Sequence, residues 1–221
     1  MAVRTRVYQR FSTWCFVIIA AASLAGCGAP SYNYVTNSAD HTYLKIPNSW
    51  QPIDAQSINA ALGLDTSGAA TNPGSWVVGY DADTAPSAMH LFGPTSAAMP
   101  AAMIRVESVP APARGQFSFD LLRDLFLPVT AQGRQQASPI LTDFTLVSDD
   151  VLTPKGLHGV HTVYGYRMAG GPMQIFDQTA YLNEDASKLY VLFLRCSTEC
   201  YQQRQKEITS VVSSFTVRET P

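Results

Sequence analysis

The chain has 221 residues, with 15 Lys and Arg against 17 Asp and Glu. Its first 26 residues hold three arginines and no acid, so the other 195 carry 12 basic and 17 acidic groups, a net charge of −5. Such a body lacks the basic footprint of a nucleic-acid binder, and an apolar content of 46% excludes a disordered chain; its length suffices for one sizeable core.

Arg4, Arg6 and Arg10 precede an apolar run over residues 14–22, which ends in the small residues of Ser23-Leu24-Ala25-Gly26-Cys27. A basic start, a short apolar stretch and a small-residue cleavage site make a secretory signal over residues 1–26. A membrane-spanning helix needs roughly 20 apolar residues, and this run is shorter. Leu24-Ala25-Gly26-Cys27 resembles the lipobox of bacterial lipoproteins. The resemblance implies a diacylglyceryl group on the Cys27 sulfur, cleavage after Gly26, and a chain held on the extracytoplasmic face of the cell membrane. Two acyl chains, palmitate-like in size, anchor stably where one holds only reversibly, at roughly 0.8 kcal/mol per buried CH₂. The alternative is an ordinary secreted protein cut at the same place. Residues 27–41 are small and polar and are expected to form the acylated tether, with one domain over residues 42–221.

Within that domain, Tyr43-Leu44-Lys45-Ile46-Pro47 reads as a short strand leading to a buried Trp50. Asp54 is a suitable N-cap for a helix that carries Ile58, Ala61 and Leu62 on one face. Residues 65–100 are loop-rich, with strand-like pieces at 76–80 and 89–92. A strand over 103–109 follows. Ser118 then caps a helix with Leu121, Leu122, Leu125 and Phe126 in one stripe, which Pro128 should end near Leu127. Strands are expected at 144–152, 159–168 and 173–182. The next segment, Leu189-Tyr190-Val191-Leu192-Phe193-Leu194, is apolar at every position and therefore belongs in a sheet hidden from water on both faces. The polar residues 183–187 make it an antiparallel hairpin with the strand before. Ser197 or Thr198 caps a C-terminal helix that places Tyr201, Ile208, Val211, Val212 and Phe215 on one face. The fold expected is α+β, an antiparallel sheet covered by helices on both faces.

The opening Tyr43-Leu44-Lys45-Ile46-Pro47-Asn48-Ser49-Trp50 and the ending, two long strands, an apolar strand, a helix and Ser214-Phe215-Thr216-Val217, resemble the PsbP-like α/β/α sandwich. That fold also occurs in actinobacterial lipoproteins of the LpqN type, which pair it with a lipobox. The resemblance covers residues 43–52 and 156–217 and implies a non-enzymatic binding or assembly role. It supplies no catalytic residue, cofactor or metal.

Cys196 and Cys200, the cysteines left once Cys15 is removed with the leader and Cys27 is acylated, are expected to form a disulfide in an exported chain. The rival reading is a thiol or copper site at a helix start, with His158, His161 or methionines as further ligands. On a strand, however, the two histidines of His158-Gly159-Val160-His161 point to opposite faces. Asp81, Asp83, Asp149 and Asp150 lack calcium-loop spacing and read as solvated loop acids. No hydrolase, phosphate-loop or dinucleotide motif is present in the sequence, although a triad assembled from distant residues stays open. Tyr164, Tyr166, Met168, Met173, Tyr181 and Tyr190 lie on neighbouring strands and are the residues expected to line an apolar cleft, if one exists, for a lipid or a hydrophobic partner. The partners expected are thus the membrane, through Cys27, and an envelope protein or lipid, with no nucleic acid.

Overall fold

The computed structural model describes residues 31–64, 75–94 and 97–218. The leader, Cys27 and the first residues of the expected tether lie outside the described residues. From Tyr32 onward the chain forms one compact unit. Its elements run β1 (Tyr32–Asn37), β2 (Thr42–Pro47), β3 (Gln51–Ile53), α1 (Ala55–Ala61), β4 (Trp76–Asp81), α2 (Met89–Phe92), β5 (Ala101–Ser108), α3 (Ala111–Arg114), α4 (Phe119–Arg123) and α5 (Ala131–Gln135). Then come β6 (Leu141–Leu152), β7 (Leu157–Met168), β8 (Met173–Asn183), β9 (Lys188–Ser197), α6 (Thr198–Gln203), α7 (Gln205–Val212) and β10 (Thr216–Val217).

Seven strands form an antiparallel sheet in the order β3-β4-β5-β9-β8-β7-β6. β9 lies inside it, between β5 and β8, and its side chains alternate between two cores. Leu189, Val191 and Phe193 pack with Ile58 of α1, Leu91 of α2 and Leu122 of α4. Tyr190, Leu192, Leu194 and Cys196 pack with Ile208 and Val211 of α7 and with Val35, Leu44 and Ile46 of β1 and β2. We call these the helical face and the mixed face. The mixed face carries α6, α7 and a small sheet ordered β1-β2-β10. The expectation of a sheet covered by helices on both faces is met, with the small sheet as an addition.

Local chemistry explains where elements begin and end. Asp54 caps α1 by accepting the Ser57 amide at 2.8 Å, and Ser118 caps α4 through the Leu121 amide at 3.1 Å. α4 stops at Asp124, before Pro128, because the Asp124 carboxylate turns to accept the amides of Val129 and Thr130 at 2.6 and 2.8 Å. Residues 125–128 thereby hang as a loop over the helical face. The C-terminal helix is broken at Arg204 into α6 and α7. Trp50 is buried as expected, and its Nε1 donates to Glu207 Oε1 of α7 at 2.6 Å, tying the β2–β3 corner to the last helix.

Three expectations are corrected. Residues 32–41 are not tether: β1 pairs with β2 over its whole length, from Tyr32↔Pro47 to Asn37↔Thr42, and the Asn37 side chain closes the hairpin by accepting the Ala39 amide. Only Val35 of β1 is buried, so the strand carries almost no apolar signal. Residues 89–92 are one helical turn, which tucks Leu91 into the core while Met89 faces solvent; a strand would have put both on one side. Asp81 is no solvated acid. It is fully buried, accepts the amides of Asp83 and Ser87, and sits 2.6 Å from His90 Nδ1. Those donors replace the water that a buried carboxylate otherwise needs.

Gly159 lets β8 approach β7: a Cβ there would lie 2.0 Å from the Ala180 carbonyl oxygen, whereas one at Gly115, in αR backbone after α3, would meet nothing. Gly159→Ala is expected to cost about 3 kcal/mol or more, because backbone must move. Gly115→Ala should leave stability unchanged or raise it by about 0.4–1 kcal/mol. Urea unfolding of the two variants checks the contrast.

Candidate functional site

The end of β9 turns directly into α6, and the two cysteines flank that corner. Cys196 and Cys200 are joined by a disulfide, with Cα atoms 5.8 Å apart, within the ordinary span of about 4.4–6.8 Å. Ser197 between them caps α6 by accepting the Cys200 amide at 3.2 Å. Both cysteines are buried on the mixed face. The bond ties up the two sulfur atoms that a copper site would use as thiolates. His158 and His161 give such a site no ligands either, because they lie on opposite faces: His158 meets the Phe119 ring of α4, and His161 turns toward α6. Among the described residues, no group of three or more His, Cys, Asp or Glu side chains is placed to hold a metal ion.

His161 belongs to a polar cluster on the mixed face. Asp177 of β8, buried, lies 2.8 Å from His161 Nε2 through Oδ1 and accepts the Tyr201 hydroxyl of α6 at 2.8 Å through Oδ2. The hydrogen bond to Asp177 raises the His161 pKa above 6.5, helped by the charges of Asp177 and Asp150 and opposed by burial. Burial and the neighbouring carboxylate also push the Tyr201 hydroxyl well above its ordinary value. The arrangement places a hydrogen-bonded histidine–carboxylate pair between sheet and helix. A buried cation, Arg195, sits on the helical face, where its Nη1 donates to the Gly93 carbonyl at 2.6 Å and its Nε to Gln174 Oε1 at 3.3 Å. Desolvation lowers its pKa to about 10, which leaves it charged at neutral pH.

The helical face carries the feature best suited to a ligand. Two adjoining cavities, of about 320 and 470 Å³, share Phe126, Leu127 and Met168. The smaller is lined by apolar side chains, among them Leu62 of α1, Phe92 of α2, and Phe176 and Phe193 on the sheet. The larger extends over Ile140 and Leu141 and ends at the polar side chains of Asp124, Gln136 and Ser138. Aromatic rings form the wall of the smaller cavity: Phe126 and Phe193 lie 4.4 Å apart, and Phe92 stacks on Phe193 at 5.8 Å. The loop bearing Phe126 is held by Asp124 and by the Tyr166 hydroxyl, which donates to the Pro128 carbonyl at 2.5 Å. An apolar groove with a polar end is the shape that takes a ligand with one apolar and one polar part.

The six residues expected to line a cleft do not line a common one. Tyr164, Tyr166 and Met168 face the helical side. Tyr181 and Tyr190 face each other across β8 and β9 on the mixed side. Met173, at the start of β8, borders a separate cavity of about 580 Å³ beside Cys200, lined by Arg167, Ser197, Thr198 and Glu199. The reason is the two-residue period of a strand, which puts odd and even positions on opposite faces of the sheet. Only Met168 of the six reaches the apolar groove. The sequence gives no sign that Phe92, Phe126 and Phe193 share a cleft, because they come together only after one helical turn, one loop and one strand converge. The available signal was Asp124, four residues before Pro128, which announces a loop in place of a further helical turn.

No protein-family model and no curated protein sequence matches the chain. Among solved structures it is similar to the cyanobacterial PsbP protein CyanoP of Synechocystis sp. PCC 6803, at 15% identity and a TM-score of 0.53, over 90% of this chain and 99% of that one. It is also similar to LpqN of Mycobacterium tuberculosis, described as involved in cell envelope biogenesis, at 13% identity and a TM-score of 0.42 over 85% of this chain and 91% of that one. A further likeness is the Ran-binding protein Mog1p of Saccharomyces cerevisiae, at 8% identity and a TM-score of 0.44 over 84% and 95%. The likeness to CyanoP shows a PsbP-like fold, and a fold by itself assigns no function.

Because the folded His161 holds its proton more tightly than the unfolded one, its pairing with Asp177 contributes stability that is fully present below pH 6.5 and is lost as pH rises through the raised value. The stability of the chain over His161→Gln should therefore shrink as pH climbs above 6.5, as measured by urea unfolding at a series of pH values. A difference that grows with pH would contradict the pair.

Proposed function

We propose that the chain is an extracytoplasmic lipoprotein, fixed to the membrane by a diacylglyceryl group on Cys27, whose PsbP-like domain is a non-enzymatic binding or assembly module for an envelope lipid or protein. The anchor rests on the sequence: an acid-free, apolar leader followed by Leu24-Ala25-Gly26-Cys27. Among the described residues no helix is long and apolar enough to cross a membrane. An actinobacterial source, where lipobox and PsbP-like domain occur together, belongs to the same reading.

The observation that carries the binding role is the aromatic groove of the helical face. Phe92, Phe126, Phe176, Phe193 and Met168 offer apolar walls, and the buried Arg195 lies within cation–π distance of Phe176, at 5.6 Å. Walls of this kind reward the transfer of hydrocarbon from water at roughly 25 cal/mol per Å², and they need no chemistry beyond shape. The rival copper role requires free thiolates on Cys196 and Cys200, which are joined in a disulfide.

Intact mass of the membrane-extracted protein tests the anchor. A chain beginning at residue 27 with added diacylglyceryl mass is expected, and Cys27→Ser should leave the protein in the soluble fraction. A mature chain from residue 27 without lipid mass would remove the anchor. Native mass spectrometry and crosslinking of the anchored protein from its own membranes test the binding role: a bound lipid or envelope protein is expected, and its loss in Met168→Trp, which fills the groove, places it there. Finding neither would contradict the binding role.

A further inference from the structure

β6 is the outermost strand of the seven-stranded sheet: one edge pairs with β7, and among the described residues no strand pairs with the other. Its first half is irregular, with register shifts between Thr142 and Thr145 and between Leu146 and Ser148. Beyond the second shift, residues 148–152 run in unbroken register, Ser148↔Val163, Asp149↔Thr162, Asp150↔His161, Val151↔Val160 and Leu152↔Gly159. Five residues is an ordinary strand length. A regular open edge presents a row of outward N–H and C=O groups, and the occupant those groups fit is another extended backbone.

The side chains at this edge say which kind of strand fits. Val151 is 53% exposed, on the helical face with Val160. Asp149, on the same face, is neutralised by Arg123 Nε at 2.9 Å. Asp150 points to the mixed face beside His161, is exposed, and forms no ion pair among the described residues. A second copy of this chain paired antiparallel over residues 148–152 would set Asp150 directly opposite Asp150 of its mate, and like charges in that position are destabilising. A strand with a cation there would instead meet an exposed acid whose cross-strand neighbour His161 is already hydrogen-bonded to Asp177.

We propose that residues 148–152 are a strand-addition site for an extended segment of a partner protein that carries Lys or Arg beside Asp150 and apolar side chains beside Val151. The site lies on the rim of the sheet, apart from the aromatic groove, and is independent of whether that groove holds a lipid. The partner's backbone supplies most of the attachment, and Asp150 selects its charge.

Hydrogen–deuterium exchange and fluorescence anisotropy on the full chain in detergent, with synthetic peptides of about six residues alternating Lys with Val or Glu with Val, test the proposal. The Lys-Val peptide is expected to bind and to slow exchange across residues 148–152, and the Glu-Val peptide to do neither. Asp150→Asn should weaken the Lys-Val peptide about threefold, in keeping with a surface ion pair, and Asp150→Lys should reverse the preference. The reversed preference keeps the test valid, since a variant that failed to fold would bind neither peptide and would be recognised by its lost exchange protection throughout; Asp150→Asn, of unchanged shape, then decides. Equal binding of both peptides, protection located elsewhere, an unchanged preference in both variants, or pairing of two copies through residues 148–152 would overturn it.

Discussion

Leu189, Val191 and Phe193 of β9 point into one core while Tyr190, Leu192, Leu194 and Cys196 point into another, so the strand has no face left for water. Burying each large apolar side chain contributes about 1.5–3 kcal/mol, and a strand that offers such groups on both sides demands cover on both. The rest of the architecture answers that demand. α1, α2, α4 and the loop after Asp124 close the helical face. α6, α7 and the β1-β2-β10 sheet close the mixed face.

This constraint also decides where polar groups can sit. Between the sheet and its covers, each buried charge is matched by fixed donors or acceptors: Asp81 by two amides and His90, Asp177 by His161 and Tyr201, Arg195 by a carbonyl and Gln174. Such groups are costly unless satisfied and specific once satisfied. The disulfide does related work at the β9–α6 corner, closing a loop too short to yield much entropy but fixing the direction in which the chain leaves the sheet. What remains for binding is where cover is incomplete: the aromatic groove on the helical face and the open rim at β6.

The central layer was legible from sequence because β9 is apolar without interruption and its neighbours are long. Helix starts were legible at Asp54, Ser118 and Ser197, where a side-chain oxygen caps the first turn. What escaped was set by tertiary partners. β1 buries only Val35 and exists because β2 pairs with it; the turn at Met89–Phe92 is fixed by what Leu91 must reach; and α4 ends where Asp124 finds the amides of Val129 and Thr130. The disulfide pair was legible because Cys196 and Cys200 lie four residues apart in a chain expected to be exported. The cleft was not, because six residues on adjacent strands divide between two faces according to parity and register, and the register between β7, β8 and β9 is written in contacts distant in sequence.

Amide hydrogen exchange of the native chain tests most directly the claim that a strand covered on both faces organises the whole. The account predicts that the amides of β9, with those of β5 and β8 beside it, exchange most slowly and only through global unfolding, while β1 and β6 exchange through smaller local openings. Amides of β9 that exchanged as fast as those of β6 would contradict it.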